Sequence, residues 1–118
     1  PAVINVFGSS VFGMNDFTHI CFFDIAMLSH IPNLVYLAPT TWEEWKAMED
    51  WAIDQNRYSV AIRVPANGVT HSNEAYDTDY SELNRYKVAH KGSEVAVIAV
   101  AISLARARPC ARLLRLTE

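Results

Sequence analysis

The sequence predicts an α/β fold, a mostly parallel sheet with helices on its faces. Three observations carry this. Short apolar runs rich in β-branched residues lie near residues 2–7, 34–38 and 58–64. A strongly capped helical segment separates the second run from the third. A strand, a helix and a strand in that order imply a right-handed parallel crossover. Hydrophobic residues make up 51% and charged residues 19% of the 118 positions, which is globular composition rather than that of a disordered chain.

Ala2–Phe7 reads as a buried strand that stops at Gly8-Ser9-Ser10. From Val11 to Asp24 the chain shows neither helical nor strand periodicity and carries Gly13, Asn15, Asp16, Thr18 and His19, so it is the loop to search for chemistry. Phe22–Ser29 suits a short helix, broken by Ile31-Pro32-Asn33. Leu34–Ala38 is the second strand, stopped by Pro39. Thr40 or Thr41 can then cap a helix, with Glu43 or Glu44 three residues on completing a capping box. Along that helix Trp42, Trp45, Met48 and Ala52 form an apolar stripe that should pack on a sheet.

Tyr58–Val64 is the third strand, ended by Pro65 and an Asn67-Gly68 turn signal. The polar stretch to Glu82 reads as an exposed connection. Tyr86–His90 and Glu94–Val100 then read as two further strands. The resulting divisions are 1–68 as the core domain, 69–85 as a connection, 86–100 as strands leading to another domain, and 101–118 as an atypical tail. The start at Pro1, inside an apolar run, reads as the interior of a longer polypeptide.

The net charge of −3 conceals an asymmetry: residues 1–100 carry 6 basic and 12 acidic side chains, whereas 101–118 hold Arg106, Arg108, Arg112 and Arg115 against one glutamate. An acidic body argues against nucleic-acid binding. The tail differs enough from the body to raise a cloning or reading-frame origin. Cys21 and Cys110 lack the paired spacing of a zinc or redox site, which suits a reduced, cytoplasmic setting. Apolar runs fall short of a membrane span.

Two residues stand out by type and place. His19, in a polar loop, can donate to an anion or move a proton near neutral pH, although loop histidines are often merely solvated. Arg63 falls at the carboxyl end of a strand, where open α/β sheets present ligand-binding groups. Its guanidinium suits a phosphate, and equally a neighbouring carboxylate. Trp42, Trp45 and Trp51 sit at helical spacing and read as packing rather than as a stacking platform. His30, His71 and His90 are isolated in sequence, so a protein-only metal site is not expected.

Three stretches then align in order: Gly13 through Thr18-His19 to Phe23-Asp24, Ile31-Pro32-Asn33 with Ala38-Pro39, and Ala61-Ile62-Arg63-Val64-Pro65. Their spacing resembles the transketolase-like pyrimidine-binding domain of the 1-deoxy-D-xylulose-5-phosphate synthases, over roughly residues 1–100. The resemblance implies an incomplete piece of a thiamine-diphosphate-binding fold from a transferase of isoprenoid precursor synthesis. That enzyme condenses pyruvate with glyceraldehyde 3-phosphate and releases carbon dioxide.

The resemblance further implies that His19 faces the cofactor and that Arg63 binds the aldehyde's phosphate, with Asn15, Asp16 and Thr18 as cofactor-loop candidates. Magnesium and the cofactor's diphosphate would be held on a domain outside this chain, so the fragment should be inactive alone, and self-association or a homodimer is expected. Departures from the pattern occur at Asn15, Cys21, Ala66-Asn67 and Phe7-Gly8-Ser9-Ser10, the last lacking a second phosphate-binding arginine. A split transketolase, a pyruvate dehydrogenase beta-type subunit, and a non-catalytic assembly or regulatory module of the same fold are the alternative readings.

Overall fold

A computed structural model of the chain describes residues 1–8, 23–86, 88, 91, 96 and 98–100. Within them run β1 (Val3–Phe7), α1 (Asp24–Leu28), β2 (Leu34–Leu37), α2 (Trp42–Asp54) and β3 (Ser59–Val64). The three strands form one sheet in the order β1-β3-β2, and both pairings are parallel. The α/β class with a parallel sheet is therefore as the sequence predicts.

The third strand in sequence is the central one, and its composition shows why. Val60, Ala61 and Ile62 are wholly buried, an apolar run suited to a strand covered on both faces, and Val64 beyond Arg63 is nearly so. Successive side chains alternate between the two faces. Val60 and Ile62 join Val35 of β2 and Met48 and Ala52 of α2 in the core, with Leu37, Trp45, Trp51 and Tyr58 packed around them. Ala61 and Arg63 point to the other face, in register with Tyr36 on one side and with Ile4 and Val6 on the other.

The helix start is better specified than a simple capping box. Thr41 is the N-cap, its hydroxyl accepting from the Glu44 amide at 3.2 Å. The Glu44 carboxylate reaches past it to the amide and hydroxyl of Thr40, at 2.7 and 2.8 Å. Both threonines are thus used. The apolar stripe is rotated relative to the expected one: Ala47, Met48 and Ala52 are buried, whereas Trp42 is 39% exposed and stacks on Trp45 with ring centroids 4.7 Å apart. Trp45 does face the sheet, its indole donating to Asn5 of β1 at 3.3 Å.

After β3, Pro65–Gly68 closes a turn through the Gly68 amide donating to the Pro65 carbonyl at 2.8 Å. Gly68 has φ +71, a conformation L side chains rarely adopt. The 69–85 connection is exposed over most of its length but returns over α2. Thr70 accepts from the Trp42 amide, Glu43 accepts from His71 and the Ser72 amide, and Tyr80 packs edge-on against Trp51. The strands expected at Tyr86–His90 and Glu94–Val100 lie partly outside the described residues. No helix among the described residues is long and apolar enough to cross a membrane.

Candidate functional site

The sheet face opposite α2 carries a buried polar cluster built from three elements. Asp24 opens α1 and is 5% exposed, the only buried charged residue among those described. Tyr36 comes from β2 and Arg63 from β3. Their strands are hydrogen-bonded neighbours with Tyr36 in register with Ala61, so the alternation that buries Val60 and Ile62 on α2 delivers Tyr36 and Arg63 to the same opposite face.

Arg63 donates through Nε to Asp24 Oδ2 at 2.7 Å and through Nη2 to Oδ1 at 3.4 Å. Tyr36 donates its hydroxyl to the same Oδ2 at 2.6 Å. Burial opposes ionisation of Asp24, but the hydrogen bonds from Arg63 and Tyr36 and the guanidinium charge outweigh it and hold the carboxyl below its usual range. Burial, together with the bond to the Asp24 carboxylate, pushes the Tyr36 phenol well above its usual value. The cluster is thus a charged pair steadied by a neutral phenol.

Of the two alternatives for Arg63, the described residues hold the carboxylate pair. The side chain retains 14% exposure at the penultimate position of β3, near the carboxyl edge of the sheet. The apolar surround is open: Ile4 is 46%, Phe23 76% and Met27 64% exposed. His19, Asn15, Asp16 and Thr18 lie outside the described residues, as does Cys21.

Sequence reasoning passed over Asp24 and Tyr36 as site residues. The signal was present in Phe23-Asp24, an acidic residue beginning a helix after an apolar one, but nothing local revealed its partner 39 residues away. His71 was also passed over; it bonds Glu43 at 2.7 Å. His30 bonds the carbonyl of Ala26 through Nδ1. Among the described residues no group of three or more His, Cys, Asp or Glu side chains could hold a metal ion. A shallow groove of about 440 Å³ between α2 and the connection, lined by Trp42, Glu43, Trp51, His71 and Tyr76, lies across the sheet from Asp24 and is separate from the site.

The sequence is 32% identical over 107 residues, 91% of this chain, to the 1-deoxy-D-xylulose-5-phosphate synthase of Clostridium acetobutylicum. The chain is a relative of the 1-deoxy-D-xylulose-5-phosphate synthases. That of Heliobacterium modesticaldum is 31% identical over 97% of the chain, and that of Shewanella loihica 25% over 99%. Of these three synthases the chain spans 17%, 18% and 19% of the length, so it corresponds to a fragment of such an enzyme. No protein-family model matches the chain. No solved structure matches it.

Proposed function

We propose that the chain supplies the pyrimidine-binding part of a thiamine-diphosphate-dependent transferase that condenses pyruvate with glyceraldehyde 3-phosphate to 1-deoxy-D-xylulose 5-phosphate. The observation that carries the reading is the extent of the similarity to the Clostridium acetobutylicum synthase, 107 of 118 residues, on a chain that folds as a parallel α/β sheet.

In this reading Arg63 holds the aldehyde's phosphate, because a planar guanidinium at the carboxyl edge of a parallel sheet matches a phosphate oxygen pair. His19 takes or gives a proton near the reacting carbons, with Asn15, Asp16 and Thr18 shaping its loop. When bound, thiamine diphosphate supplies the electron sink that stabilises a carbanion. Among the described residues no group of three or more His, Cys, Asp or Glu side chains is placed to hold magnesium. The reading assigns the diphosphate and its magnesium to another part of the enzyme. It therefore takes the isolated chain as inactive, and the complete enzyme as a cytoplasmic homodimer of isoprenoid precursor synthesis.

The test is complementation. The chain is added to the Clostridium acetobutylicum synthase lacking its matching segment, and product formation from pyruvate and glyceraldehyde 3-phosphate is measured. Restored synthesis, lost again with His19→Ala, is expected. Arg63→Gln should raise KM for the aldehyde more than it lowers kcat. No synthesis from two folded pieces would favour a non-catalytic module of the same fold; turnover with another acceptor would favour a split transketolase or pyruvate dehydrogenase-type subunit.

A further inference from the structure

We infer that Asp24 is a built-in counter-anion that sets how tightly Arg63 takes an incoming phosphate, keeping the site closed to free inorganic phosphate. The inference rests on the reading of Arg63 as the phosphate-binding group, and goes beyond it by assigning the neighbour that tunes the interaction.

The geometry gives three reasons. Asp24 sits against Arg63 through Nε at 2.7 Å, so one edge of the guanidinium is engaged while the side chain keeps 14% exposure. A guanidinium carries five N–H donors, which leaves others for a second acceptor. The pair is electrically neutral as it stands, and an arriving phosphate meets a carboxylate as well as a cation. At separations of about 4 Å in a partly buried site each of these charges changes anion affinity by well over tenfold. Finally, Tyr36 holds the carboxylate in place with a 2.6 Å hydrogen bond and adds no charge. The carboxylate does not titrate away at neutral pH, so the brake is permanent. A substrate carrying further contacts overcomes it; free phosphate has none to offer.

The experiment titrates inorganic phosphate into the 118-residue chain by calorimetry, for the wild type, Asp24→Asn, and Asp24→Asn combined with Arg63→Gln. The amide keeps the carboxylate's shape and an oxygen to accept from Arg63 and Tyr36. Asp24→Asn is expected to bind phosphate at least about tenfold more tightly than the wild type, and the double variant should lose that gain. Phosphate binding by Asp24→Asn no tighter than the wild type, or none at all, overturns the inference.

Should Asp24→Asn lose its circular-dichroism signature, the wild type still decides. With Asp24 paired to Arg63 at 2.7 Å, the wild type should give no saturable heat with inorganic phosphate at millimolar concentration. Saturable phosphate binding by the wild type that is lost in Arg63→Gln also overturns the inference. Failure here leaves the synthase reading intact, because that reading is tested by restored turnover and by the KM effect of Arg63→Gln.

Discussion

At the scale of single residues, Asp24 concentrates more consequence than any other described position. It is a carboxylate taken almost wholly out of water, and it is kept charged by one guanidinium and one phenol. Removing one member of such a pair leaves the other buried without compensation, which typically costs about 3–5 kcal/mol. Asp24→Ala should therefore lower the unfolding free energy by an amount in that range, measured by urea unfolding.

The pH dependence has a definite sign. The folded-state pKa of Asp24 lies below that of the unfolded chain, so its contribution is complete above the ordinary carboxylate value of about 3.9 and is lost as pH falls through the folded value. Glu43, lowered by its hydrogen bonds from His71 and Ser72, acts in the same direction. Thermal midpoints recorded between pH 6 and pH 2 should fall most steeply in the acid part of that range, and less steeply in Asp24→Asn.

At the scale of elements, the helix α2 shows how local and distant information differ. Its start was legible because Thr40, Thr41 and Glu44 interact within five residues, and a cap of this kind is worth about 1 kcal/mol. Thr41→Ala should cost about that much. The face it buries was legible only in part: Met48 and Ala52 are where the period puts them. Trp42, however, is drawn to solvent by stacking on His71 and by donating its amide to Thr70, contacts supplied by a segment 28 residues further on. Strand β3 announced itself by the apolar run Val60-Ala61-Ile62, and Ile62→Ala should cost about 2–5 kcal/mol by opening a cavity between sheet and helix. Arg63 was visible as a strand-end arginine, yet its choice of Asp24 depends on how α1 meets the sheet, which no spacing along the chain encodes. The connection after Gly68 read as exposed because it is polar; its anchoring through Glu43, Thr70 and Tyr80 depends on contacts that appear only once α2 is in place.

At the scale of the molecule, the open face around Ile4, Phe23 and Met27 should make the chain self-associate, so sedimentation velocity should show a weight-average mass rising with concentration. Thermal unfolding with thiamine diphosphate and magnesium should show no shift if their main contacts lie in another part of the enzyme, since only a ligand bound to the native state raises the midpoint. The strand order β1-β3-β2 carries one more consequence. Among the described residues β1 and β2 are not hydrogen-bonded neighbours; each pairs with β3, Val3 opposite Val60 and Leu34 opposite Ser59. During synthesis, then, β1 and β2 must both wait for β3 to emerge before either finds the partner it has in this sheet. Stalling or cleavage ahead of Ser59 would leave β1 and β2 not with a smaller version of this sheet but without it.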